Sequence, residues 1–284
     1  MYYLLQGTEA EEEAPMLSHQ PTMAREGHIE WEPVERKLAV CGDNISAEGL
    51  LYLAYLLVET ELHRQGCITL HAAAASIGCN ATLLLGSAGS GKTTTLLRLC
   101  RDHRASLIGN DLVVVGGTGS LPVAIAGSQH VRLRYSSLAS AMPDLLGLFP
   151  GEPIDTWRAK RNLDPSGLGI TMSAEKQVTV VVFIHVDADC SQVIDEPGDT
   201  LIHRLNLYEN ALRYIRGTST PWLVNGTFGP YVPSLDHPDL HATRSVTLER
   251  LMSESRYISG PPAAVASHVA KILNDNTVFK GEMN

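Results

Sequence analysis

The sequence predicts an α/β fold built on a mixed β-sheet. Three observations predict it. Apolar runs of strand length alternate with amphipathic stretches of helix length through most of the 284 residues. Short turns join several of those runs directly, so antiparallel hairpins interrupt a pattern that would otherwise give a parallel sheet. One apolar run, ATLLL (81 to 85), leads into GSAGSGKTTT (86 to 95) and then a helical pattern. A strand, a glycine-rich loop and a helix in that order form a phosphate-cradling unit.

In chain order, residues 8 to 28 are acidic and without periodicity, and are expected to be loose. HIEWEPVERKLAVCG (28 to 42) alternates and breaks at Pro33, which predicts a short hairpin. SAEGLLYLAYLLVETELHRQG (46 to 66) predicts a helix ended by Gly66. Residues 1 to 66 are thus expected to form a small N-terminal β/α segment packed on a core of residues 67 to 284. CITLHAAAASI (67 to 77), the turn GCN and ATLLL predict a hairpin. KTTTLLRLCRDH predicts a helix, and SLIGND (106 to 111) and LVVV (112 to 115) predict strands. HVRLRY and QVTVVVFIHVD predict further strands. SSLASAMPDLLGLF, TLIHRLNLYENALRYIRG and PAAVASHVAKILND predict the flanking helices, the last at the C-terminus.

Composition narrows the function. Hydrophobic residues make up 44% of the chain and charged residues 19%, enough apolar matter for a sizeable core. A net charge of −9 argues against nucleic acid or an anionic membrane as partner. The N-terminus lacks the basic stretch of a secretory signal, and the apolar runs are too short to span a bilayer. Cys41, Cys67, Cys79, Cys100 and Cys190 are scattered and form no C-x-x-C pair. A cytoplasmic protein with reduced thiols is expected.

The loop carries the chemistry. Gly86, Gly89 and Gly91 permit positive φ and close backbone approach. The amides of Ser87, Ala88, Ser90, Lys92, Thr93 and Thr94 can then surround phosphate oxygens at a helix N-terminus. Lys92 is expected to reach the β- and γ-phosphates and Thr93 to place its hydroxyl on Mg²⁺, with ATP as the default nucleotide. If Ile77 faces Ala81 across the hairpin, His71 falls opposite Ser87, beside the loop. There it can bond a phosphate or tune an acid–base group. Asp111 follows the carboxyl end of a strand, where open α/β sheets bind ligands, and can hold Mg²⁺ or take a hydroxyl proton. Asp187, after VVVFIHV, is the rival metal residue.

Arg161, with Lys160, lies in a polar Pro-flanked stretch expected to be a loop over the site, and is the candidate second cation for the transition state. Arg132 and Arg134 share one strand face, to contact an acidic acceptor or to line a solvated face. Arg213 and Arg216 are expected to complement a helix C-terminus. Residues 227 to 244, with Tyr231, Asp236, His237 and His241, are expected to form a lid or substrate loop, or less readily a metal site, since their prolines exclude a long helix. No LSGGQ-like stretch and no N-K-x-D occur, which disfavours transporter-type ATPases and guanine specificity.

The stretch LHAAAASIGCNATLLLGSAGSGKTTTLLRLCRDHRASLIGNDLVVV resembles the core of the HPr kinase/phosphorylase-like family, related in fold to phosphoenolpyruvate carboxykinases. The resemblance covers residues 69 to 115, with a weak echo at KRNLDPSGLGITM (160 to 172). It implies a kinase acting on a hydroxyl, with Asp111 as base and His71 assisting. The family's bifunctional members carry E-x-R-G-L-G-I; here Ser166 replaces the arginine. That departure points away from phosphorylase activity, towards the members that phosphorylate small molecules or peptides in biosynthesis. A serine kinase of a carrier protein and a non-catalytic nucleotide-binding regulator are the alternatives. By the same analogy, copies of the chain are expected to assemble into homo-oligomers.

Overall fold

The structure is a computed structural model. It describes residues 16–20, 28–32, 36–41, 47–117, 119–135, 137, 139, 142–148, 160–216, 223–224, 227–228 and 232–281. Contacts divide the chain into two compact units, residues 1–61 with 213–237, and residues 62–212 with 238–284.

The first unit holds strands β1 (Met16–Gln20), β2 (His28–Glu32) and β3 (Lys37–Cys41), most of helix α1 (Ala47–Arg64) and a short antiparallel pair, 223–224 with 227–228. β2 and β3 form the expected antiparallel pair. β1 pairs with β3 in parallel, although residues 8 to 28 are expected to be loose. MLSHQ does not alternate, so the pairing has no signature in its own residues. Leu38, Val40, Leu53, Leu56, Val232 and Leu235 form this unit's core.

The second unit is a mixed sheet between two helical layers. Its strands begin with β4 (Ile68–Leu70), β5 (Ala73–Ile77) and β6 (Asn80–Leu85). Helix α2 (Lys92–Asp102) follows, then β7 (Ser106–Asn110), β8 (Val113–Gly116), β9 (Val123–Gly127) and β10 (Val131–Arg134). Next come β11 (Lys160–Leu163), β12 (Lys176–Val186), β13 (Ile194–Pro197) and α3 (Leu201–Leu212). β14 (Leu223–Val224) and β15 (Thr227–Phe228) are the short antiparallel pair of the first unit. The chain then returns through α4 (Pro238–Ser253), β16 (Ser255–Gly260) and α5 (Pro262–Gly281).

The sheet runs β4-β8-β9-β12-β6-β5-β7, with β16 on β12 and β13 on β16. β12 lies parallel to β6 and to β16, while the hairpin strands are antiparallel. β7 is two antiparallel steps from β6, so it points the same way. The carboxyl ends of β6, β7, β12 and β16 therefore share one edge. β6 is buried throughout, as a central strand covered on both faces should be. Along β12, Val180, Val182 and Ile184 join the core under α2 and α5, while Val181 and Phe183 join the core under α3 and α4. The period-2 alternation of the strand thus feeds two apolar layers.

Three further expectations change. The hairpin turn is one residue shorter than expected. Ile77 faces Asn80, and Gly78, at φ 61, takes the turn position that needs a positive φ. In the expected helix SSLASAMPDLLGLF, Ser137 and Ala139 are helical, but Pro143–Leu148 forms a 3₁₀ turn, which begins at the proline that would interrupt an α-helix. Residues 238–244, expected to be loop, open α4. Pro238 sits at its first position, where the missing N–H costs no hydrogen bond. Among the described residues no helix is long and apolar enough to cross a membrane.

Candidate functional site

The phosphate loop leaves β6 at Leu85 and enters α2 at Lys92, at the edge shared by the parallel strand ends. Gly86 has φ 147, and a Cβ there would stand 2.6 Å from the Ser90 Oγ and 2.8 Å from the Ile184 carbonyl oxygen. Gly91 has φ 95, and a Cβ there would reach 2.4 Å from Cγ2 of Val186. At both positions a side chain would force its neighbours to shift and would need a positive φ. The neighbouring strand holds the loop in place, because the Val186 N–H donates to the Ser90 carbonyl at 2.9 Å.

The loop's donors suit a phosphate. Gly91 is the N-cap of α2, and no side chain caps it. The first amides of a helix have no intrahelical acceptor, so those of α2 open onto the loop with the positive end of its dipole. The Lys92 ammonium donates to the carbonyl oxygens of Gly86 at 2.7 Å and Ser87 at 2.9 Å, across the loop's mouth. A phosphate oxygen is a stronger, charged acceptor for the same ammonium.

Thr93 leads to a residue that sequence reasoning does not single out. Its hydroxyl donates to Oδ1 of Asn110 at 3.0 Å. Asn110 is 1% exposed. Its Nδ2 donates to the His130 carbonyl at 3.3 Å, and its backbone N–H donates to the Ser128 carbonyl at 2.7 Å. With its proton given to Asn110, the Thr93 oxygen keeps its lone pairs for a cation. That arrangement fits Mg²⁺. In sequence, Asn110 reads as half of an Asn-Asp turn.

Asp111 follows β7 and adopts φ 69, in the left-handed region. Asp tolerates this better than most residues. β4 and β5 are separate strands, and His71 stands in the bend between them, outside the hairpin register used to place it. It nonetheless meets Asp111: its Nδ1 donates to the Asp111 carbonyl oxygen at 2.9 Å. Asn210 of α3 grips the backbone of His71 on both sides. Its Oδ1 accepts the His71 N–H at 2.7 Å, and its Nδ2 donates to the His71 carbonyl at 3.2 Å. That clamp spans 139 residues of sequence and has no local signal.

A cleft of about 250 Å³ joins these parts. His71, the loop from Ala88 to Thr94, Asp111, Arg132 and Arg134 all line it. The arginines therefore face the phosphate loop. Asp187 does not line the cleft, although Val186 and Ala188 on either side of it do. Its carboxylate accepts the Asp189 N–H at 2.9 Å and the Cys190 thiol at 3.3 Å. Those two bonds, the amide's first, hold it below the usual carboxylate range.

Arg161 and Lys160 lie in strand β11, paired with Leu133 and Arg134 of β10, and not in the expected loop. Their side chains are outside the described residues. Tyr231 is outside them as well. His241 lies on α4, and among the described residues no group of three or more His, Cys, Asp and Glu is arranged to hold a metal ion. Arg213 lies just beyond α3, with its guanidinium 5.7 Å from the centre of the Tyr214 ring. Ser166 donates through both its N–H and its hydroxyl to Asp164, in a turn leading to Gly169.

No family model matches the chain, and no curated protein matches it. Among solved structures it is similar to the Hpr(Ser) kinase/phosphatase from Coxiella burnetii. The identity is 14% and the TM-score 0.33, over 75% of this chain and 98% of that chain. A TM-score of that size assigns neither family nor activity.

Proposed function

We propose that this chain is an ATP-dependent kinase that transfers the γ-phosphoryl group to a hydroxyl of a small molecule or peptide. The observation that carries the proposal is the single cleft shared by the phosphate loop, Asp111 and His71. A loop alone binds nucleotide. A carboxylate across the same cleft adds a group that can receive a proton.

The amides at the start of α2 and the Lys92 ammonium hold the β- and γ-phosphates. Thr93, with Asp111 through water, would hold Mg²⁺, which would supply positive charge against the triphosphate. Asp111 takes the acceptor's proton as the new O–P bond forms. The bond from the γ-phosphorus to its bridging oxygen breaks, and ADP leaves with the electron pair. His71 holds the backbone of Asp111, a residue that lines the cleft, and so restrains the position of its carboxylate.

The test is acceptor-dependent ADP formation by the purified chain with Mg²⁺–ATP, alongside a mass-spectrometric screen of hydroxyl compounds for a phosphate adduct. Asp111→Asn should abolish transfer while ATP still raises the melting temperature. Normal transfer by that variant refutes the assignment of the base. A labelled protein band from cell extract and labelled ATP would instead identify a carrier-protein kinase. Thermal stabilisation by ATP without transfer to any acceptor would identify a regulator.

A further inference from the structure

We infer that the phosphate acceptor is itself an anion, a hydroxyl compound bearing a carboxylate or phosphate group, and that Arg132, with Arg134 beside it, forms the subsite for that group. The inference rests on the kinase reading above.

The backbone of β10 sets the arrangement. Val131 and Leu133 are 0% and 4% exposed and belong to the core beneath α2 and α5. β11 fixes the strand, with Val131 opposite Leu163 and Arg132 opposite Asn162. Arg132 and Arg134 alternate with Val131 and Leu133 along the strand, and both line the cleft together with Leu133 between them.

Charge is the second argument. The chain carries a net charge of −9, yet among the described residues this cleft is lined by Lys92, Arg132 and Arg134 against one carboxylate, Asp111. The donor already has its own partners. A bound Mg²⁺ offsets about half of a triphosphate's charge, and Lys92 with the α2 dipole meets much of the rest. The Arg132 guanidinium remains in excess. Arg132 is exposed, and no group among the described residues bonds or pairs with it. A guanidinium matches the two oxygens of a carboxylate or phosphate through parallel N–H bonds.

The test uses the full chain saturated with Mg²⁺ and the non-hydrolysable analogue AMPPNP, which fills the γ-phosphate position. Inorganic phosphate and, separately, malonate are titrated in at low salt by calorimetry, and the tighter of the two identifies the acceptor's anionic group. At least one should bind the wild-type complex. Arg132→Ala should weaken that binding about tenfold, and Arg132→Lys by less, since Lys keeps the charge and loses the fork. AMPPNP affinity and melting temperature should hold in both variants. If neither anion binds the AMPPNP complex, or if Arg132→Ala weakens AMPPNP and leaves the anion unaffected, the arginine serves the nucleotide and the inference is wrong. If AMPPNP fails to bind the wild type, the kinase reading itself fails and this inference falls with it.

Discussion

His71 Nδ1 lies 2.9 Å from the carbonyl oxygen of Asp111, so the imidazole holds the backbone of that residue and not its carboxylate. A carbonyl only accepts, so Nδ1 carries the proton, and in the neutral ring the lone pair is on Nε2. The bond pins a residue at φ 69, where a side chain costs about 1–2 kcal/mol. His71→Ala should therefore lower kcat by about tenfold to a hundredfold, by releasing the carboxylate from its working position. KM for ATP should change little. His71→Asn, which can still donate, should recover part of the loss. Steady-state kinetics on the three proteins checks this. An unchanged kcat in the alanine variant would remove His71 from the mechanism.

The bond from Thr93 to Asn110 makes a separate prediction about metal. Asn110→Ala leaves the Thr93 hydroxyl free to rotate its proton towards the cation. The Mg²⁺ concentration at half-maximal activity should rise about tenfold, as when other groups that orient a metal ligand are removed. Stability should fall by about 1–2 kcal/mol, because the His130 carbonyl also loses its donor. A Mg²⁺ titration of activity and a urea melt separate the two effects.

The local elements are legible in the sequence because each obeys a short-range rule. The loop between β6 and α2 follows from glycine spacing, and the buried run of β12 from its continuous apolar residues. Asp111 can be placed because β7 ends beside it. What the sequence does not reveal depends on distant partners. A hairpin turn one residue too long puts His71 opposite Ser87, whereas the strand breaks at Leu70 and β4 leaves to pair with β8. Proximity to the loop does not depend on that register. Asn210 is invisible until α3 docks on the bend at His71. β1 exists through its pairing with β3. Pro238 reads as a helix breaker, although at the first position of α4 it is a helix former.

Asn210 offers a test of that long-range contact. Asn210→Ala removes both bonds to the backbone of His71, at 2.7 and 3.2 Å. It should cost about 1–3 kcal/mol of stability. It should also lower kcat in the same direction as His71→Ala, since it loosens the same bend. Combining the two variants should give less than the sum of their effects on the activation barrier, as expected for residues in one network. Full additivity would mean that Asn210 acts elsewhere.

Gly91, like Gly86, leaves no room for a side chain. Alanine there would put a Cβ 2.4 Å from Val186 Cγ2 and would also require φ 95. Gly89, at φ 88, has open space where a Cβ would stand, with no atom within 4 Å, so alanine there meets only the backbone cost. Gly91→Ala should lose about 2–4 kcal/mol and most nucleotide affinity. Gly89→Ala should lose about 1–2 kcal/mol. Adding Val186→Ala to Gly91→Ala should recover the steric part alone. Thermal melts with and without AMPPNP read both quantities. Equal losses at the two glycines would contradict the close approach to β12.

Away from the cleft, Asp195 of β13 joins two elements. Arg256 of β16 donates to its two oxygens at 2.7 and 2.8 Å, and His268 of α5 approaches at 2.6 Å. Burial alone would raise its pKa. The bonds from Arg256 and then His268 outweigh burial and hold the carboxyl below its ordinary range. A carboxyl with a depressed folded pKa contributes stability at pH values above its unfolded pKa, near 4, and loses that contribution as pH falls through the folded value. Asp195→Asn should therefore be less stable than wild type by about 1–2 kcal/mol at pH 6. The gap should narrow steadily below about pH 4, as the wild-type carboxyl takes up its proton. Urea denaturation at a series of pH values measures the gap. A gap that widens on acidification would reverse the sign and show that burial, not the ion pair, dominates at this residue.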